Sequence, residues 1–262
     1  IIVSTVVIIF MIASLLIVHY FVSLLQISPE AGRQFCLLIE RCGIRVLLFC
    51  FGILYIKVDG HFDQRTRIII SNHVSILEPF ILLLYHDLCF PIFENWYSNP
   101  IIKILLESFD VIYLPHSKLK SQTGNSKICK SILAAADDMN RPPLLIFPEG
   151  LKSKSCGDIL MKFNKMAFMT PYRVQPVVIR YTMFGVPEGL NTYQYRGESI
   201  LGYLWRLHTV PLGYLTISLM QSTALGKCED MSIDTFAEET QLIMANFIGI
   251  PAINVDESTF LE

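Results

Sequence analysis

Charged residues are scarce in this chain of 262 residues. Only 17% of them are Asp, Glu, Lys or Arg, whereas soluble domains carry about 25%. Hydrophobic residues make up 52% of the sequence, and this balance indicates association with a membrane. The net charge is −2, from 21 basic and 23 acidic residues, so the sequence lacks the basic excess that is typical of nucleic-acid-binding domains.

Paired cysteines are also lacking. The chain has seven cysteines, an odd number, and no two of them have the C-x-x-C spacing of a zinc or thioredoxin-like site. We therefore expect scattered, reduced and mostly buried thiols that face a cytosol, rather than a disulfide framework.

The first 26 residues contain no Asp, Glu, Lys or Arg at all. A helix needs about 20 apolar residues to cross the hydrocarbon core of a bilayer, and this stretch is long enough. A cleaved signal peptide has an apolar core of about 7–15 residues and a small-residue cleavage site, and neither feature fits here. We expect residues 1–28 to form a membrane anchor, which either spans the bilayer or re-enters as a hairpin.

Charged residues return in an apolar background between residues 29 and 56. Two interpretations fit this segment: an amphipathic helix that lies in the membrane interface, or a helix that packs on the following domain. Arg45 within an apolar run makes a second membrane crossing unfavourable. We place the start of the following domain at residue 57 and its end at residue 262.

Short β-branched runs then alternate with longer helical stretches, which predicts an α/β fold with a mostly parallel sheet covered by helices. The predicted strands are residues 67–71, 111–115, 144–148, 174–181 and 215–220. The predicted helices are residues 79–87, 98–108, 124–139 and 233–248.

Polar clusters follow two of these predicted strands. Ser71-Asn72-His73 follows the first strand, and Pro148-Glu149-Gly150 follows the third. Ligand sites in open α/β sheets form outside the carboxyl ends of the strands. If the two strands are neighbours, both clusters therefore face one crevice.

His73 and Glu78 are candidates for a general base and the carboxylate that orients it. Five positions on a straight helix turn through about 500°, so the pair requires a break in the chain between its members. Pro79 disfavours a helical conformation at Glu78 and favours a helix that begins there. The alternative is a capping box, Ser75-x-x-Glu78, in which Ser75 is the N-cap and Glu78 serves the backbone.

Together these motifs resemble the glycerolipid acyltransferase superfamily. The N-H-x4-D motif of that family is similar to Asn72-His73-x4-Glu78, and its F-P-E-G motif is similar to Phe147–Gly150. A proline-centred apolar strand, VQPVVIRY at residues 174–181, follows in the same order. Residues 93–106, 147–168 and 235–262 further resemble the lysophosphatidylcholine acyltransferase branch, and the related lipid-droplet scaffold branch shares part of the pattern.

The resemblance implies an acyl-CoA-dependent enzyme that acylates the free hydroxyl of a lysophospholipid, with lysophosphatidylcholine as the first acceptor to consider. His73 would be the general base and Glu78 its orienting partner. The substrate-binding positions would be Asn72, His116, Lys118, Phe147, Pro148, Glu149 and Gly150. The resemblance implies no metal and no bound cofactor, because acyl-CoA is a co-substrate. The expected partners are membrane lipids, and the expected location is the endoplasmic reticulum membrane with a cytosolic active site, or a lipid droplet.

Four positions depart from the family pattern. Glu78 replaces Asp, His116 replaces Arg, Leu151 replaces a hydroxyl residue and Met166 replaces Gly. Histidine, unlike arginine, does not hold a phosphate through two parallel hydrogen bonds. These departures leave two alternatives open: a catalytically weak acyltransferase-like scaffold at a membrane or lipid droplet, and an enzyme that acts on lysophosphatidate.

Overall fold

The computed structural model describes residues 29–93, 109–114, 122–149, 162–185, 198–209, 213–221 and 232–254, together with residues 6, 13, 14, 17, 106, 159 and 160. The anchor expected at residues 1–28 thus lies outside the described residues, apart from four isolated positions. Among the helices that are described, none combines the length and the apolar character needed to cross a membrane.

Five α-helices and seven strands lie within the described residues. The helices are α1 (Pro29–Cys50), α2 (Glu78–Leu83), α3 (Gln122–Asp137), α4 (Ile200–Thr209) and α5 (Ile233–Ile248), and a 3₁₀ helix covers Lys165–Phe168. The strands are β1 (Ile53–Asp59), β2 (Ile68–Ser71), β3 (Phe90–Phe93), β4 (Val111–Leu114), β5 (Leu144–Ile146), β6 (Val174–Met183) and β7 (Gly213–Leu219).

The main sheet has five strands in the order β1-β7-β6-β2-β5. All neighbouring pairs in it are parallel except β6 and β7, which are antiparallel. Strands β3 and β4 form a second, parallel pair, and a bridge between Cys89 and Leu144 connects this pair to β5. The predicted α/β fold with a mostly parallel sheet is therefore confirmed.

Both faces of the sheet are buried, which explains why its strands are continuously apolar. On β2, Ile69 packs with residues of α1, α2 and α4 on one face. Its neighbours Ile68 and Ile70 pack with α3, α5 and the 3₁₀ helix on the other face. Because side chains alternate along a strand, a strand that is covered on both sides needs apolar residues at every position.

The bounds of two predicted segments need correction. The segment expected to be helical through residue 56 ends at Cys50, because a turn at Phe51–Gly52 reverses the chain and β1 then pairs with β7. The helix predicted at 79–87 is α2, which covers only Glu78–Leu83. Strands β1 and β3 and helix α4 were not predicted, and the helix predicted at 98–108 lies almost entirely outside the described residues.

Two glycines with positive φ, Gly60 after β1 and Gly185 after β6, allow the effect of packing to be separated from the effect of backbone conformation. Gly60 has a φ of +93°, and a Cβ atom there would lie 2.5 Å from the carbonyl oxygen of Leu219. Gly185 has a similar φ of +76°, with no atom within 4 Å of a Cβ atom placed there. We expect Gly60→Ala to lower the free energy of unfolding by about 2–4 kcal/mol, and Gly185→Ala by only about 1–2 kcal/mol. Urea unfolding measures both, and equal losses would contradict the packing argument.

Candidate active site

The two polar clusters lie at the same edge of the sheet. Strands β2 and β5 are parallel neighbours, and Ile70 pairs with Ile146 immediately before the two clusters. The carboxyl ends of both strands therefore open on one side, as expected for a ligand site in an α/β sheet.

Asn72 fixes the chain where β2 ends. Its amide nitrogen donates to the carbonyl oxygen of Ile179 at 2.9 Å, and its amide oxygen accepts from the N–H of Ile179 at 2.9 Å. These two bonds continue the β2–β6 ladder beyond its last backbone pair, Ser71 with Val177. The side chain is buried. Asn72, expected among the substrate-binding residues, therefore lies where it positions the next residue, His73.

His73 is held on three sides. Its Nδ1 lies 3.1 Å from Oε2 of Glu78, and its ring stacks on Phe147 with the ring centres 4.1 Å apart. Its backbone N–H donates to Oε1 of Glu149 at 3.3 Å. The side chain of His73 is 12% exposed. Because Nδ1 faces Glu78, Nε2 is the ring nitrogen that remains for a substrate.

Glu78 makes both of the contacts that the sequence offered as alternatives. Its Oε2 faces His73, whereas its Oε1 accepts the N–H of Ser75 at 2.7 Å and the hydroxyl of Tyr181 at 2.9 Å. The bond from Ser75 N–H is the glutamate half of a capping box. The serine half differs from a capping box, because Oγ of Ser75 accepts the N–H of Leu77 at 3.2 Å, and Leu77, not Ser75, is the N-cap of α2. Glu78 is the first residue of α2. The break in the chain that the pairing of His73 with Glu78 requires therefore lies in the turn before this helix.

Two tyrosines and a serine complete this site, and the sequence analysis did not identify the tyrosines. Tyr181 ends the VQPVVIRY run, where a hydroxyl in an otherwise apolar strand was the available signal. Tyr203 comes from α4, and its hydroxyl lies 2.5 Å from Oγ of Ser75. Burial, together with the nearby charge of Glu78, raises the pKa of Tyr181 well above its ordinary value. Burial also raises the pKa of Tyr203.

The other predicted site residues have different outcomes. Pro148 is buried, and its carbonyl oxygen accepts the N–H of Asn164 at 2.7 Å, which connects the F-P-E-G segment to the start of the 3₁₀ helix. His116, Lys118 and Gly150 lie outside the described residues. Within the described part of the chain, no cluster of three or more His, Cys, Asp or Glu side chains could hold a metal ion.

The paired imidazole and carboxylate at the sheet edge form the candidate active site of this α/β domain. Residues 56–180, which include His73, Glu78 and Phe147, match the family described as Acyltransferase. This match and the similar proteins below support the glycerolipid and lysophospholipid acyltransferase superfamily that the motifs resemble, and the chain is similar to the lysophosphatidylcholine acyltransferase branch.

Three relatives illustrate the range of similar proteins. Lysophospholipid acyltransferase LPEAT2 of Arabidopsis thaliana is 34% identical over 55% of this chain and 26% of its own length. Human lysophospholipid acyltransferase LPCAT4 is 29% identical over 79% of this chain and 39% of its own length. The lipid droplet-regulating VLDL assembly factor AUP1 homolog of Caenorhabditis elegans is 28% identical over 82% and 52%. The chain thus spans between about a quarter and half of these relatives.

A solved structure supports the same fold. The 1-acyl-sn-glycerophosphate acyltransferase PlsC of Thermotoga maritima superposes with a TM-score of 0.66 at 17% sequence identity. The match covers 95% of this chain and 94% of the bacterial one. At this identity the likeness concerns the fold alone.

The Asn72 bonds generate a stability prediction. We expect Asn72→Ala to lower the free energy of unfolding by about 2–3 kcal/mol, because it leaves a buried backbone N–H and carbonyl of Ile179 without their partners. Asn164→Ala is the control, since the exposed Asn164 side chain only caps the 3₁₀ helix and should contribute about 1 kcal/mol. Chemical unfolding measures both variants, and an Asn72→Ala loss no larger than the control would contradict the assigned bonds.

The buried hydroxyl of Tyr203 generates a pH prediction. Its pKa is raised in the folded protein, so above pH 10 the unfolded chain ionises this tyrosine before the folded protein does. The contribution of Tyr203 to the free energy of unfolding is fully present below about pH 10. Above that pH it falls by about 1.4 kcal/mol per pH unit. We expect Tyr203→Phe to be less stable than the parent near neutral pH and the difference to narrow above pH 10. Unfolding curves across this range test it, and a difference that stays constant would show that Tyr203 ionises alike in both states.

Proposed function

We propose that this domain transfers a fatty acyl group from acyl-CoA to the free hydroxyl of a lysophospholipid, with lysophosphatidylcholine as the primary acceptor. The observation that carries the proposal is the contact between Nδ1 of His73 and the buried carboxylate of Glu78 at 3.1 Å. A carboxylate on Nδ1 holds the proton of the neutral ring on that nitrogen and leaves Nε2 as a proton acceptor.

The reaction then needs a single proton to move twice. The acceptor hydroxyl oxygen attacks the thioester carbonyl carbon while Nε2 of His73 takes the hydroxyl proton. The carbon–sulfur bond breaks, the ester forms, and the CoA sulfur leaves with the proton that the imidazolium returns. Glu78 stabilises the imidazolium between these steps, because its Oε2 lies against Nδ1. No metal or bound cofactor is needed for this sequence.

The F-P-E-G segment supports the base in this proposal. Phe147 stacks on the imidazole and Glu149 binds the backbone of His73, so both restrict the ring that must meet the hydroxyl. We further propose that Pro148 and Gly150 line the acceptor site with them, and that His116 and Lys118 contact the phosphate of the head group. A lipid acceptor also fits the apolar composition and the expected anchor at residues 1–28. These features favour the endoplasmic reticulum membrane, with the site facing the cytosol.

A second candidate function is a catalytically weak scaffold at a membrane or lipid droplet. The similarity to the lipid droplet-regulating AUP1 homolog favours it, because that match covers 82% of this chain. The replaced positions His116, Leu151 and Met166 favour it as well. The two functions differ in one measurable property, which is turnover.

An acyltransferase assay separates the candidates. The full chain is expressed in membranes from acyltransferase-deficient cells, and CoA release is measured with lysophosphatidylcholine, other lysophospholipids and lysophosphatidate. We expect release with lysophosphatidylcholine that falls by at least about 10²-fold in His73→Ala. His86→Ala is the matched control, because that imidazole stacks on Phe62 and not on Phe147, the partner of His73. Release no higher than that of His73→Ala with every acceptor would support the scaffold instead.

Substitutions of Glu78 test its role separately. In Glu78→Gln the amide oxygen can still accept from Ser75 and Tyr181, but the amide nitrogen then donates to Nδ1 of His73. This favours the ring tautomer with its proton on Nε2, which cannot accept the hydroxyl proton. We expect kcat to fall by about 10²-fold or more in Glu78→Gln, and less in Glu78→Asp. If Glu78 were only a helix cap, the glutamine variant would keep its activity.

A further inference from the structure

Glu78, at the start of α2, binds His73 through one carboxylate oxygen and a residue of strand β6 through the other. The carboxylate is fully buried, and its Oε1 accepts from the hydroxyl of Tyr181 on β6, which is 103 positions along the chain. We infer that Tyr181 is a positioning residue for Glu78, which fixes Oε2 on His73 and accommodates the extra methylene that glutamate has over aspartate. This inference rests on the proposed function for its catalytic consequence only.

A glutamate needs this restraint more than an aspartate does. Its side chain has one more rotatable bond, and the terminal torsion that turns the carboxylate has a broad energy minimum. If the Ser75 N–H were the only donor to Oε1, the carboxylate could still rotate around that one hydrogen bond. A second donor at 2.9 Å, approaching from a different element, fixes the carboxylate plane and therefore the oxygen that meets His73.

The hydroxyl of Tyr181 is suited to remain a donor. Its ring is fully buried among the core residues of the sheet face that carries α2 and α4. The titratable groups around it are Glu78 and Tyr203, and both disfavour its ionised form. Beside it, Ser75 binds the hydroxyl of Tyr203 through Oγ and offers its own N–H to Glu78. Both tyrosines thus contact the turn that precedes α2, Tyr181 at Glu78 and Tyr203 at Ser75.

The alternative is that Tyr181 is a core residue whose hydroxyl uses Glu78 as a convenient acceptor. Both interpretations predict that Tyr181→Phe loses some stability, so stability does not separate them. They differ in whether the effect of the hydroxyl on His73 depends on the length of the residue at position 78. A double-mutant cycle measures that dependence.

The cycle combines Tyr181→Phe with Glu78→Asp in the full chain, assayed with lysophosphatidylcholine and normalised to folded protein by circular dichroism. Aspartate is shorter by one methylene and cannot bind both His73 and Tyr181 from the same helix position. We expect Tyr181→Phe to lower kcat by about tenfold in the parent with little change in KM, and by less than about twofold in the Glu78→Asp background. Equal losses in the two backgrounds would overturn the inference.

A second readout does not depend on turnover. Nitrogen-15 chemical shifts of labelled histidine report which ring nitrogen of His73 carries the proton. We expect the parent to hold the Nδ1–H form and Tyr181→Phe to shift toward a mixture of tautomers, whereas Glu78→Asp should respond little to the same change. Tyr203→Phe is the matched control, because it removes a buried hydroxyl that binds Ser75 and not Glu78.

The two readouts keep the inference distinct from the proposed function. If no variant turns over any acceptor but Tyr181→Phe alone disturbs the tautomer, the proposed function fails and the positioning stands. If the parent is active and Tyr181→Phe leaves both the cycle and the tautomer unchanged, the positioning fails and the proposed function stands.

Discussion

The Glu78 carboxylate is the interaction on which the rest of the site depends. It is fully buried, and it accepts bonds from a backbone N–H, a tyrosine hydroxyl and an imidazole. Removing a carboxylate from water is costly unless such partners replace the lost hydration. Each of these bonds comes from a different part of the fold: the turn itself, the sixth strand and the end of the second strand. The turn can therefore reach its conformation only when those parts are in place.

Similar bonds tie the site to the sheet. Asn72 continues the ladder toward β6, while Phe147 and Glu149 hold His73 from the β5 side. His73 thus lies between the ends of two strands that flank β2, and its ring has little freedom to leave that position. A base that is already oriented before the substrate arrives loses less entropy in the reaction than a mobile one does. Under the proposed function, the rigid sheet thus fixes the geometry of the proton transfer.

The sequence predicts the parts of this fold that depend on local pattern. Continuous β-branched runs indicate buried parallel strands, and the polar residues after β2 and β5 indicate the edge where a site forms. It does not predict Tyr203, because nothing local distinguishes a tyrosine in an apolar helix from any other core aromatic residue. It also leaves two roles open for Glu78, because each carboxylate oxygen binds a different partner. Only the tertiary structure shows that both sets of contacts are made together. The end of α1 at Cys50 is not predicted, because residues 46–56 carry no charge and run from helix into strand, and β1 is distinguished only by its pairing with β7.

The replacement of aspartate by glutamate does not in itself favour loss of function. The extra methylene could have withdrawn the carboxylate from His73, but the contact is kept at 3.1 Å, with the second oxygen held by other donors. The distinction between enzyme and scaffold therefore shifts from position 78 to the residues that would meet a phosphate. A phosphate needs a cation or a set of N–H donors, and the replacement of arginine by His116 removes the strongest of these. Under the proposed function, a chain that keeps the His73–Glu78 contact and changes a residue expected to meet the phosphate would differ in its acceptor rather than in its chemistry. For this reason, comparing acceptors in the assay is as informative about the function as comparing the parent with His73→Ala.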